Sequence, residues 1–140
     1  MKKYLEMKKR HSEEFNKFPM FAAFSDKQFS EGMKKLGLDS SERDKIYNLG
    51  SGLFIRKTDS KAFSIMFKKH EAELKEAYKD YDFAIGMFNY ELGNHEYTYT
   101  WDVTDTLNAL DISKDDIKSN DILKRALEAA IILQQQEEDI

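Results

Sequence analysis

The chain has 140 residues, of which 41% are hydrophobic and 34% charged, and its formal net charge is −4. This composition is typical of one globular domain and excludes a disordered or fibrous chain. The sequence contains no cysteine and no long apolar run, which excludes disulfides, thiolate metal sites and a membrane-spanning helix.

Helical periodicity predicts the first elements. A helix over residues 2–18 has an apolar stripe at three- and four-residue steps, and it ends before Pro19. Charges interrupt every apolar group in this segment, so we expect no secretory signal and an intracellular protein. Ser25 and Gln28 match a capping box for a second helix that ends at Gly37, and a third, shorter helix is predicted over residues 41–49.

The remaining chain alternates between strand and helix patterns. A strand is predicted over residues 53–56 and a helix over residues 59–79. The next helix, over residues 82–93, is apolar on nearly every side, which is typical of a central buried helix. YTYTWDV at 97–103 alternates with a period of two and predicts a strand whose aromatic face lies in the core. A helical turn from Thr104 and a helix over residues 121–136 complete the chain.

These elements predict a mainly helical α+β fold in one domain, residues 1–140. About six helices would surround the central buried helix, beside a small antiparallel sheet.

The end of the central helix carries the first candidate site. Glu91 and His95 are four residues apart and would share a helix face if the helix continued through Gly93. With Glu96 they could form a divalent-metal site or an acid/base pair. The favoured alternative is that Gly93 ends the helix and the following turn caps its backbone, because a metal site needs three or four ligands.

Charge is unevenly distributed between the two halves. Residues 1–82 hold 18 Lys/Arg and 14 Asp/Glu, whereas residues 83–140 hold 4 and 12. The acidic half predicts a surface for a basic protein partner, with the candidate residues Asp111, Asp115, Asp116, Asp121, Glu137, Glu138 and Asp139. The basic opening helix offers an alternative nucleic-acid surface formed by Lys8, Lys9, Arg10 and Lys17, although the sequence pI near 5.4 disfavours it.

Three blocks in fixed order carry a family resemblance: EFNKFPMFAAFSDKQFSEGMKKLGL, KIYNLGSGLFIRKTD and YDFAIGMFNYELGNHEYTYTWDV. Over residues 10–112 the chain resembles a family of small uncharacterised proteins encoded on conjugative elements, plasmids and phages of Gram-positive bacteria. The resemblance implies no reaction and no catalytic residue. It implies a bacterial host cytoplasm, and it marks residues 113–140 as a variable C-terminal helical extension.

Three functional hypotheses follow. The leading one is a non-enzymatic interaction protein of a mobile element that inhibits a basic host defence nuclease, such as a CRISPR effector, or another host defence protein. The second is a nucleic-acid-binding accessory protein that uses the basic helix. The third is a small metal-dependent enzyme built on Glu91, His95 and Glu96. The leading hypothesis needs no cofactor, and the sequence does not predict an oligomeric state.

Overall fold

The computed structural model describes residues 1–138, ending at the backbone of Glu138. Within this range the chain forms eight α-helices and one three-stranded antiparallel sheet, which confirms the mainly helical α+β fold. The elements in chain order are α1 Lys2–Lys17, β1 Phe21–Ala22, α2 Asp26–Lys35, β2 Ile46–Gly50, β3 Leu53–Arg56, α3 Ser60–Ala77, α4 Tyr81–Asn94, α5 Tyr97–Thr100, α6 Thr104–Ala109, α7 Lys114–Ser119 and α8 Asp121–Glu138.

The chain packs into two compact units. Unit 1 comprises Met1–His11 together with the described chain from Glu71 onward, and unit 2 comprises Ser12–His70. The single domain over residues 1–140 and the extension over residues 113–140 stay predictions.

Helix α4 is the centre of unit 1, as its apolar sequence predicts. Asp80 caps the helix: its carboxylate accepts a 2.9 Å hydrogen bond from the Phe83 N–H. Helices α5, α6 and α8 all pack against α4. The core around α4 is apolar, and the side chains that face α4 from α6 and α8 are mostly aliphatic. The buried residues on this side of the core are Met87, Phe88, Leu92, Leu107, Leu110, Ile112, Leu123, Ala126, Leu127 and Ala130.

Unit 2 holds the sheet, whose strand order is β1-β3-β2. The prediction of a helix over residues 41–49 is wrong, because Arg43–Lys45 forms only a 3-10 turn and Ile46–Gly50 forms β2. Strands β2 and β3 make a hairpin joined by Ser51 and Gly52, which both have positive φ, of 53° and 77°. Two such residues are what a type I′ hairpin turn requires, so the glycine-rich turn dominates over the weak helical periodicity before it.

The prediction of a strand over residues 97–103 is also wrong. Tyr97–Thr100 forms the short helix α5, in which the Trp101 N–H donates to the Tyr97 carbonyl oxygen at 2.7 Å. A strand needs a neighbouring strand edge for its backbone groups, and within residues 1–138 the strands all belong to unit 2. The segment therefore satisfies its backbone locally. Helix α7 was not predicted, because a single turn has too little periodicity to detect.

No helix within residues 1–138 has the length and apolar character needed to cross a bilayer.

Candidate functional site

A buried carboxylate, that of Glu91, is the polar centre of unit 1. Glu91 is 2% exposed, and both of its carboxylate oxygens are engaged. Oε1 accepts hydrogen bonds from the Tyr4 hydroxyl at 2.9 Å and from Lys8 Nζ at 2.7 Å. Oε2 lies 3.3 Å from His95 Nε2. A carboxylate can be buried at tolerable cost when it is paired and hydrogen-bonded in this way.

Two helices build this Glu91 cluster. Helix α4 continues through Gly93 to Asn94, so Glu91 and His95 meet on one face. The prediction that Gly93 ends the helix is therefore wrong, and the turn begins at His95, one residue later than predicted. Tyr4 and Lys8 are one turn apart on α1 and therefore reach the same oxygen. Burial, followed by the negative charge of Glu91, raises the pKa of the Tyr4 hydroxyl above its usual value, so Tyr4 remains a hydrogen-bond donor.

The predicted metal set is only partly brought together. Glu91 and His95 are in contact, whereas Glu96 is exposed and has a left-handed backbone with φ of 56°. Within residues 1–138, no three Asp, Glu, His or Cys side chains are placed to hold one metal ion. The cluster's contacts are those of a structural clasp between α1 and α4, since three side chains already occupy the carboxylate.

The four α1 residues of the predicted nucleic-acid surface divide into two pairs. Lys8 binds Glu91, and Arg10 binds Glu73 through its two terminal guanidinium nitrogens, Nη1 and Nη2. Lys9 and Lys17 are exposed. Two of the four cations are therefore in internal ion pairs, which reduces the positive charge that α1 offers to phosphate groups.

Glu73 accepts from more than one side chain of α1. Its Oε2 also lies 3.1 Å from His11 Nε2. The hydrogen bonds from Arg10 and then His11 lower the pKa of the Glu73 carboxyl to about 2. Glu73 therefore stays ionised at neutral pH, and its ion pair with Arg10 is maintained.

The predicted acidic residues within the described range are all exposed, namely Asp111, Asp115, Asp116, Asp121 and Glu137. The side chain of Glu138 and the whole of Asp139 lie outside the described residues.

Two of these acids have partners within their own helices. Asp116 belongs to the capping box of α7: its side chain accepts from the Ser113 N–H at 2.9 Å, while the Ser113 hydroxyl accepts from the Asp116 N–H at 3.0 Å. Asp121 lies 3.7 Å from Arg125. Asp116 is therefore a structural residue as well as a surface charge.

Sequence reasoning missed a second exposed surface, the segment of residues 96–105, hereafter the 96–105 segment. Tyr99 is 81% exposed and Trp101 is 59% exposed, although both were assigned to a buried aromatic face; only Tyr97 of that set is fully buried, at 7% exposure. Carboxylates accompany the aromatic rings, since Glu96, Asp102 and Asp105 are exposed as well. The available signal was the complete absence of Lys and Arg from residues 80–113.

Asp102 is held in place and kept ionised by Thr104. Its Oδ1 accepts from the Thr104 N–H at 2.8 Å and from the Thr104 hydroxyl at 2.6 Å. These two hydrogen bonds lower the pKa of the Asp102 carboxyl, and the positive charge of Lys114 contributes in the same direction. The 96–105 segment therefore presents a fixed negative charge near neutral pH.

Comparison with known proteins gave one match. Searches of curated proteins and of solved structures each found no significant similarity. The model of a family of unknown function, DUF7659, matches residues 3–132. The match extends beyond residue 112, the end of the resemblance noted in the sequence. This range covers most of the chain and confirms the expectation of an uncharacterised family. The chain belongs to the DUF7659 family of unknown function.

Proposed function

We propose that this protein is a non-enzymatic binding protein of a mobile genetic element, and that it engages a basic protein partner through the exposed carboxylates of unit 1. The observation that carries the proposal is the charge distribution. Residues 80–113 have no Lys or Arg, Asp111 within them is exposed, and the later acids Asp115 and Glu137 are exposed as well. Such a surface attracts a positively charged protein and repels nucleic acid.

The partner class proposed is a host defence nuclease of the CRISPR-effector type. Proteins that bind nucleic acid use Lys and Arg to neutralise phosphates, so their binding grooves are positively charged. An acidic protein that occupies such a groove competes directly with the nucleic acid. The resemblance to proteins of conjugative elements, plasmids and phages supports this context, because accessory proteins of such elements commonly act against host defences.

The Glu91 cluster favours binding over catalysis. Its carboxylate oxygens are already engaged by Tyr4, Lys8 and His95. A general base must be within hydrogen-bond reach of its substrate, and Glu91 is only 2% exposed, so a substrate could reach it only if the contacts between α1 and α4 opened. The proposal therefore places the function on the surface of unit 1.

The test is a binding titration of the purified protein against purified effector nucleases at low and high salt. A charge-neutral variant carries Asp111→Asn, Asp115→Asn, Asp121→Asn and Glu137→Gln, and leaves Asp116 intact because it caps α7. With exposed charges contributing a few tenths of a kcal/mol each, the variant should bind about tenfold more weakly at low salt.

The matched control changes the same number of exposed carboxylates in unit 2, by Glu13→Gln, Asp26→Asn, Glu31→Gln and Asp44→Asn. It should bind as the wild type does, apart from a small loss from net charge. Equal losses in the two variants, or a loss in neither, would contradict the proposed electrostatic surface.

A further inference from the structure

The 96–105 segment exposes the kind of side chains that dominate protein interfaces. Tyr99 and Trp101 are 81% and 59% exposed and lie two residues apart. Large aromatic residues are normally buried for much of their surface, because each ring offers a large apolar area. Tyr and Trp are also enriched among the residues that contribute most to binding at protein interfaces.

Trp101 is anchored and does not simply extend into solvent. Its ring packs edge-on against the buried Tyr97, with ring centroids 5.7 Å apart. The backbone N–H of Trp101 donates to the Tyr97 carbonyl oxygen at 2.7 Å. A ring that is fixed before binding loses less conformational entropy when a partner arrives.

The charges around these rings have one sign within the segment. Glu96, Asp102 and Asp105 are exposed, and the segment itself contains no Lys or Arg. Lys114, whose positive charge contributes to lowering the pKa of Asp102, lies outside the segment. The two H-bond donors of Thr104 occupy Oδ1 of Asp102, and Oδ2 is the atom with which an incoming donor would pair.

Aromatic faces combined with carboxylates match one functional group particularly well. The guanidinium group of arginine is planar, stacks on aromatic rings and donates paired hydrogen bonds to a carboxylate. The ammonium group of lysine is a compact and strongly hydrated charge that uses the rings less well. A guanidinium ligand therefore fits this surface better than an ammonium ligand does.

We propose that the 96–105 segment is the docking site for an arginine-rich segment of a protein partner. This inference rests on the proposed function, for which it names the contact surface and the partner chemistry. Tyr99 and Trp101 supply the aromatic faces, and Asp102 and Asp105 supply exposed carboxylates.

The test uses Trp101 as its own reporter, since it is the only tryptophan of the chain. Its fluorescence is followed while a ten-residue oligoarginine peptide is added, with oligolysine and a neutral Gly-Ser peptide in parallel. We expect a saturable signal with oligoarginine, several-fold weaker binding of oligolysine and no signal with the neutral peptide.

Variants locate the binding. Tyr99→Ala and the double variant Asp102→Asn/Asp105→Asn should each weaken oligoarginine binding about tenfold, because the first removes a ring and the second removes two charges while keeping the acceptor for Thr104. Trp101→Ala, measured by calorimetry, should weaken it at least as much. The matched control, Asp26→Asn/Asp44→Asn, removes the same charge from exposed positions in unit 2 and should change affinity less than about twofold.

The outcomes separate this inference from the proposed function. Equal affinity for arginine and lysine peptides, or equal losses in the Asp102/Asp105 and Asp26/Asp44 variants, would overturn the docking site, since net charge alone would then explain binding. A nuclease that binds wild type and Tyr99→Ala equally would overturn it as well. A loss of oligoarginine binding in Tyr99→Ala would support the docking site. If no nuclease tested binds the protein at the same time, the proposed partner class is overturned.

Discussion

The two units achieve a buried core by different means. In unit 1, the buried polar side chains Glu91, Thr106 and Gln134 all make hydrogen bonds that involve α4: the Thr106 hydroxyl donates to the Glu91 carbonyl oxygen, and the Gln134 amide donates to Asn89. In unit 2, the core depends on aromatic rings: Phe21 stacks on Phe54 with centroids 5.1 Å apart, and Phe29 packs edge-on against both.

This difference has a physical consequence. Hydrogen bonds to buried groups depend strongly on direction, so they fix the rotation of α4 as well as its position. Ring packing depends mainly on distance, so unit 2 is sensitive to how closely its backbone segments approach. Each of the following experiments tests one side of this comparison.

The largest effect is expected at the apolar centre of unit 1. Phe88 is fully buried, so Phe88→Ala should destabilise the protein by about 3–5 kcal/mol through lost burial and a residual cavity. Phe24 of unit 2 is 78% exposed, and Phe24→Ala should change stability by less than about 0.5 kcal/mol. Urea unfolding measures both. A small loss for Phe88→Ala would show that α4 is not the centre of the core.

The next effect tests the polar side of the comparison. Glu91→Ala leaves the buried Tyr4 hydroxyl without its acceptor and should cost about 2–3 kcal/mol, less than a fully buried ion pair because Lys8 can return to solvent. Glu73 also binds two α1 side chains but is far more exposed, so solvent screens its ion pairs and Glu73→Ala should cost less than Glu91→Ala. Similar losses for the two variants would refute a special role for burial at Glu91.

Close backbone approach in unit 2 is tested at Gly32. A β-carbon there would overlap the Phe21 ring, so Gly32→Ala should destabilise by about 1–3 kcal/mol despite alanine's better helix propensity. Gly93, near the end of α4, has only ordinary contacts for a β-carbon, and Gly93→Ala should stabilise by about 0.5–1 kcal/mol. Thermal or urea unfolding gives both signs. A stabilising Gly32→Ala would mean that Phe21 can move away without loss.

A smaller effect is expected at Trp101, whose φ of 56° is unfavourable for any residue with a β-carbon. Trp101→Gly and Trp101→Ala both remove the ring, but only glycine also removes the backbone strain. The glycine variant should therefore be more stable than the alanine variant by about 1 kcal/mol. Identical stabilities would indicate that the backbone relaxes once the ring is gone.

The smallest effect concerns acid pH. The pKa of Glu73 is about 2 in the folded protein, against an ordinary value of 4.5. A lowered folded-state pKa contributes stability above pH 4.5, and this contribution is lost as pH falls towards about 2. The stability difference between wild type and Glu73→Gln should therefore shrink over that range. A carboxyl titration by NMR checks the pKa directly, and a midpoint near 4.5 would exclude the ion pair with Arg10.

Most helices could be predicted from the sequence, and the reason is their length. Helices α1, α3, α4 and α8 each have several turns over which an apolar stripe repeats, so the pattern outweighs local exceptions. Short elements lack this averaging. Residues 46–50 and 97–100 were assigned to the wrong type because four or five residues fit either period, and the presence of a strand partner decides the outcome.

The Glu91 cluster shows a similar limit. The spacing of Glu91 and His95 places them on one helix face, and this could be read from the sequence. Tyr4 and Lys8 are 87 and 83 residues away from Glu91, and no spacing rule connects them. The aromatic alternation alone could not predict the exposure of Tyr99 and Trp101, because it looks the same whether a face is covered or open.

The absence of Lys and Arg from residues 80–113 also determines where proteases cleave this chain. Trypsin, which cuts after Lys and Arg, has no site between Lys79 and Lys114, so α4, α5 and α6 leave a digest as one peptide. Chymotrypsin cuts after aromatic residues, and in this stretch Tyr99 and Trp101 are the most exposed, whereas Phe88 and Tyr97 are buried. Within this stretch, brief digestion of the native protein by chymotrypsin therefore samples the 96–105 segment, and slower cleavage there on adding a candidate partner marks where it binds.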